Sequence, residues 1–122
     1  MGLKVVTSYF AAPALRRRPD LVRVGIVLAK PWWWVGELPN VEELAPAPHT
    51  LGLKGEEFER AYRRKLERVG VETIRARLAQ VSEEHGGREL VLLCYEKDRE
   101  ACHRGIFAAW WHERTGDLLA EL

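Results

Sequence analysis

The chain has 122 residues, of which 47% are apolar, and it carries 19 basic against 18 acidic side chains for a net charge of +1. That balance is too even to imply a nucleic-acid partner by itself. The apolar share argues against disorder, and no apolar run approaches the roughly 20 residues that span a bilayer. The length fits one domain covering residues 1–122. Met1 to Val5 lacks a signal-peptide pattern, which places the chain in the cytoplasm, away from membranes. Its two cysteines are therefore expected as free thiols rather than as a disulfide frame. Arginine outnumbers lysine 14 to 5, with one Asn and one Gln. Such a composition suits a hot source, and a GC-rich genome gives a similar bias.

In chain order, Leu3 to Phe10 is rich in β-branched and aromatic residues and is expected as a first strand. Ala11 to Asp20 holds two prolines and Arg16-Arg17-Arg18, so it is a loop. Leu21 to Ala29 is almost continuously apolar, the pattern of a buried second strand. Lys30 to Gly55 carries four prolines and Trp32-Trp33-Trp34, and predicts a long irregular excursion of the kind that is usually functional or mobile. In Glu56 to Val69 the stripe Phe58, Tyr62, Leu66, Val69 predicts a helix, with acids at its start and Gly70 at its end. Val71, Ile74, Leu78 and Val81 repeat the pattern up to His85, before Gly86-Gly87. Leu90-Val91-Leu92-Leu93 marks another buried strand within Arg88 to Tyr95. Asp98 is a suitable N-cap for a helix from Arg99 to about Thr115, and Leu118 to Leu122 is a candidate final strand. The fold class is thus α/β: a small, mainly parallel sheet of three to four strands flanked by helices. The direction of strand one stays open, because a ten-residue loop permits a wide hairpin or a tight crossover.

Ligands of open parallel sheets bind beyond the carboxyl ends of the strands. Ser8-Tyr9-Phe10, Lys30-Pro31-Trp32 and Cys94-Tyr95-Glu96 follow those ends and converge if the strands are parallel. The third segment also leads into a helix N-terminus, a natural anion site. Lys97, Arg99, His103 and Arg104 gather there against the local charge preference, and such violations tend to mark functional sites. Arg99 and His103, four apart, share a face in that reading. Cys94 at the same end is a candidate nucleophile, since a thiolate is stabilised there; as a buried free cysteine it is equally a small hydrophobe. Cys102 shares the face of Ile106 and suits packing, or a second, resolving thiol if the loop brings it near Cys94.

Three functions compete. The first is a thiol-dependent enzyme acting on an anionic, phosphate-bearing or nucleotide-like substrate. Cys94 is its nucleophile, Glu96 or His103 moves protons, and Arg99, Arg104, Tyr9 and Trp32 bind the anion. The second is a nucleotide or nucleic-acid binding module without catalysis, using the tryptophans and Arg16 to Arg18; otherwise the tryptophans cover the sheet and the arginines are a solvated turn. The third is a zinc site of Cys94, Cys102 and His103 with His49, His85 or Glu96 as a fourth ligand. That spacing matches no familiar zinc module, so no metal and no cofactor is expected.

Leu92-Leu93-Cys94-Tyr95-Glu96 followed by Cys102-His103-Arg104 resembles the signature of the domain-of-unknown-function 488 family. Thr7-Ser8-Tyr9-Phe10-Ala11, Pro31-Trp32 with Gly36, and Leu44-Ala45-Pro46 resemble its Ser-Tyr-Phe branch. The resemblance covers nearly the whole chain and is specific in Leu92 to Arg104. It implies an α/β fold with the signature at a strand-to-helix junction, and site candidacy for Cys94, Glu96, Cys102, His103 and Arg104. It implies no reaction. Many members close an early strand with Asp-x-Arg; here that region is Val27-Leu28-Ala29-Lys30-Pro31.

Overall fold

Three segments pair as strands, β1 (Val5–Tyr9), β2 (Val22–Gly25) and β3 (Leu90–Cys94), and the apolar run of β3 buries both of its faces. The computed structural model describes residues 3–122 and places them in one sheet of order β1-β3-β2, with both pairings parallel. All five residues of the central β3 are buried. Burying each of its aliphatic side chains contributes roughly 1.5–3 kcal/mol. The parallel direction of β1 settles the connection to β2 as a crossover that passes β3, made by a short 3-10 turn at Pro13–Arg17.

Helices α1 (Gly55–Val69) and α2 (Val71–Glu84) form where the apolar stripes predict them. Tyr62 and Leu66 of α1, and Ile74, Leu78 and Val81 of α2, are buried in the common core. Gly70, with φ +89°, separates the two helices in a conformation that L side chains rarely adopt. The excursion between β2 and α1 is irregular, with the 3-10 turns Glu42–Leu44 and Pro48–Thr50 and a single parallel bridge from Asn40 to Gly25.

Three predicted elements come out differently. The apolar run Leu21–Ala29 pairs with β3 only over Val22–Gly25. Beyond that, the Asn40 side chain captures Val27, accepting from its N–H at 3.3 Å and donating to its carbonyl at 2.8 Å, so the run leaves the sheet. The C-terminal segment makes only a single parallel bridge, Thr7 to Glu121, along the free edge of β1.

The third difference matters most. The helix expected from Arg99 is broken. Asp98 caps a 3-10 turn, Arg99–Ala101, by accepting from the Glu100 N–H at 3.0 Å, and helix α3 (His103–Thr115) starts afresh after an extended Cys102. Gly105 permits the tight junction: a Cβ there would collide with the Arg99 carbonyl oxygen. Arg99 and His103 therefore lie on different elements and share no helix face. At its far end α3 stops at Gly116, in the left-handed conformation.

Candidate functional site

The register sets Tyr9 of β1 beside Cys94 of β3, and Gly25 of β2 beside Leu93, so the carboxyl ends of all three strands reach one edge. The restart of the chain at Cys102 then turns His103 and Arg104 inward beneath that edge, where both are buried.

Contrary to the redox reading of the composition, the cysteines are not free: Cys94 and Cys102 are joined as a disulfide. The broken helix makes this pairing accessible, since an extended residue 102 points its side chain back at the strand end. Cys94 is wholly enclosed. Cys102, also buried, lines a cavity of about 380 Å³ together with His103, Glu96, Tyr95, Phe58, Val27 and Leu28. Cys102 is therefore the cysteine on the cavity side, and Cys94, absent from the lining, lies behind it.

Arg104 organises the inner half of the site. Its guanidinium has no exposure to solvent. Nη1 donates to Cys94 Sγ at 3.1 Å and to the Glu96 carbonyl at 2.5 Å. Nη2 donates to the Lys97 carbonyl at 3.0 Å and to Glu121 at 2.7 Å, and Nε also faces the Glu121 carboxylate. Thr7 donates to the same carboxylate at 2.7 Å, and the Tyr9 ring lies against the guanidinium at 5.9 Å. A buried charge is tolerable only when paired and hydrogen-bonded, and this one is both. Arg104 thus clamps its own chain, and its N–H groups are spent on internal acceptors rather than on an external anion. Tyr9 likewise packs on that cation. Arg99 turns towards the C-terminal segment, donating to the Leu119 carbonyl at 2.7 Å. Trp32 is 93% exposed and is absent from the cavity lining.

His103 is held by contacts that sequence spacing does not show. Its Nε2 lies 2.5 Å from the Ile26 carbonyl, so that nitrogen carries the proton and Nδ1 keeps its lone pair. Nδ1 lies 3.8 Å from Cys102 Sγ. The Tyr62 ring meets the imidazole edge-on at 5.4 Å, and the Tyr62 hydroxyl donates to the Leu44 carbonyl at 2.6 Å. Burial pushes the imidazole down to about 4, with the Ile26 carbonyl opposing and the charges of Arg104 and Lys65 assisting. At neutral pH His103 is an uncharged acceptor. Glu96 is exposed and contributes to the cavity lining, while its carbonyl accepts from Arg104.

The other candidates disperse. His49 and His85 are both exposed, and His85 sits at the C-terminal end of α2 with Nδ1 on the Val81 carbonyl. Arg18 is paired with Asp20 at 2.9 Å, and Trp34 packs edge-on against Phe10 at 5.6 Å. Arg16, Trp33 and Trp34 do share a shallow depression beside Phe10. Sequence reasoning missed Glu121, Ile26 and Tyr62. The available signal for Glu121 was the final segment itself, an apolar tail with one acid that can reach the buried arginine only if it lies along β1.

The family model described as "Domain of unknown function DUF488" matches residues 19–111, a stretch that includes Cys94, Glu96, Cys102, His103 and Arg104 but neither Tyr9 nor Glu121. No curated protein and no solved structure matches the chain. Among the described residues, no helix is long and apolar enough to cross a membrane.

Proposed function

The chain belongs to the DUF488 family, and from its buried sulfur cluster we propose that it is a thiol–disulfide enzyme whose working pair is Cys94 and Cys102. The observation that carries this reading is the asymmetry of the pair. One cysteine lines a cavity, while the other is enclosed and its sulfur accepts a hydrogen bond from a buried guanidinium. Thiol exchange needs one accessible sulfur to be attacked and one leaving sulfur whose negative charge is stabilised.

A substrate thiol gives up its proton to Glu96 or water, and its sulfur attacks Cys102 Sγ. The S–S bond breaks, its electron pair goes to Cys94 Sγ, and Arg104 Nη1 stabilises that charge. A second substrate thiol attacks the substrate sulfur of the mixed disulfide, its proton passing to the departing Cys102 sulfur, and a substrate disulfide is released. The protein disulfide is reduced to a dithiol as two thiols become one disulfide. Neutral His103 accepts the Cys102 S–H through Nδ1. The cavity is walled by Val27, Leu28, Pro46, Leu51 and Phe58, which suits a thiol carried on an apolar body.

Mixed-disulfide trapping tests the assignment of the two sulfurs. With a small apolar disulfide reagent and chelator present, Cys94→Ser should accumulate a stable adduct on Cys102, read by intact-mass spectrometry. Cys102→Ser, which leaves only the enclosed sulfur, should label at least tenfold more slowly. Equal rates, or faster labelling at Cys94, would defeat the proposal.

A further inference from the structure

We propose that the reduced protein binds one zinc ion through Cys94 Sγ, Cys102 Sγ and His103 Nδ1, with a fourth coordination position open to the cavity. The inference stands on the ligand geometry and does not require that thiol exchange occur.

One ligand atom from each of the three residues lies within 4.8 Å of the others, and all three residues are buried. Zinc–sulfur bonds of about 2.3 Å and zinc–nitrogen bonds of about 2.0–2.1 Å at tetrahedral angles put the nitrogen roughly 3.6 Å from each sulfur and the sulfurs roughly 3.8 Å apart. Nδ1 already stands 3.8 Å from Cys102 Sγ. Breaking the disulfide frees the sulfurs to separate to van der Waals distance. With the two Cα atoms 7.1 Å apart, side-chain rotation can supply that separation.

The surroundings are those of a metal ligand set. A ligating imidazole almost always donates its other N–H to a carbonyl or carboxylate, which fixes ring and tautomer. Here the Ile26 carbonyl does so and aims the Nδ1 lone pair at the sulfurs. Arg104 donates to Cys94 Sγ, while its own charge is matched by Glu121. Two thiolates and a neutral imidazole neutralise a divalent ion, so the loaded cluster is electrically balanced in a buried place. Two sulfurs and a nitrogen select zinc over magnesium or calcium. Neither His49, His85 nor Glu96 joins the cluster among the described residues. Three protein ligands with one open position is the pattern of zinc sites that bind an exchangeable ligand.

Binding releases the two thiol protons, and oxidation to the disulfide removes both sulfur ligands. Zinc loading is therefore controlled by the redox state of the pair. The test titrates zinc chloride into the full chain, once reduced and once as the disulfide, followed by competition with a chromophoric chelator. The reduced chain should take up one zinc per chain and the oxidised chain none, with circular dichroism of both redox forms establishing that each is folded. Cobalt(II) in the reduced chain should show the intense visible bands of a tetrahedral thiolate site. His103→Gln should weaken zinc at least tenfold while circular dichroism checks its fold. Equal uptake by both redox forms, no uptake by the reduced form, or copper(I) binding without zinc would overturn the proposal. Because sulfur trapping is read with chelator present, either proposal can fail while the other stands.

Discussion

The turn after β3 and the excursion after β2 leave the same edge of the sheet, yet they are built on opposite principles. The first encloses charge: Arg104, Glu121, two sulfurs and a neutral imidazole lie where water is largely excluded, and their polar groups are paired with one another. The second is fastened by apolar anchors, Trp34 against Phe10 and Leu44 in the core, while Trp32 and Val35 stand in solvent. The arginine-rich loop beside the excursion is similarly superficial, with Arg18 held by an exposed acid. The difference teaches where to look for chemistry. Exposed aromatic and basic residues attract notice in a sequence, but perturbed titration and shared hydrogen bonds arise where polar groups are buried together.

The largest way to break the contrast is Arg104→Met. It keeps the bulk but leaves the Glu121 carboxylate and the Glu96 and Lys97 carbonyls without their buried partner. Urea unfolding should show a loss of about 3–5 kcal/mol. A loss below about 1 kcal/mol would mean the guanidinium does not hold the junction together.

Acid titration comes next. In the metal-free disulfide form, His103 stays neutral down to about 4, whereas an unfolded histidine takes its proton near 6.5. Between these values the unfolded chain binds more protons, so stability rises with pH. The contribution is complete above about pH 6.5 and drains away as pH falls towards 4, by about 3 kcal/mol. Lys65 and Arg104, the cations facing the ring, disfavour the imidazolium, and only the Ile26 carbonyl favours it. The urea midpoint followed from pH 7 to 4 should therefore fall more steeply in the natural chain than in His103→Gln; parallel curves would refute the assignment.

The smallest effects belong to the excursion and sharpen the comparison. Trp34→Ala removes a half-buried anchor and should cost about 2–3 kcal/mol. Trp32→Ala, at a position 93% exposed, should stay within about 0.5 kcal/mol. Similar losses from both would show that the two tryptophans act together rather than as anchor and exposed neighbour.

Much of the scaffold was legible along the chain. The stripes of α1 and α2 and the unbroken apolar run of β3 are local signals, and they form within a residue or two of where they are expected. The errors fall where a distant group intervenes. Asn40 peels Val27 from the sheet across an intervening loop. The helix pattern after Asp98 is locally acceptable, and its break at Cys102 depends on the contact between Gly105 and the Arg99 carbonyl and on the burial of His103 and Arg104. The grouping of Cys94, Glu96, Cys102, His103 and Arg104 was visible as a dense run of sulfur-bearing and ionisable side chains, but their contacts with one another were not. Arg104, an anion holder by sequence, is an internal clamp; Cys102, a packing residue or a second thiol by sequence, is bonded to Cys94 and lies on the cavity side.

By itself the sequence determined the class of fold, the strands and most of the helices, because burial of an apolar face depends on a periodicity that each segment carries within itself. It also determined that two cysteines, a histidine and several charged side chains would concentrate after β3. Only the tertiary structure decided that the cysteines face each other, that Glu121 answers Arg104 from the end of the chain, and that Ile26 sets the tautomer of His103. A buried charge or lone pair takes whichever partner the packed chain brings within about 3 Å, and that choice is made between segments far apart along the polymer.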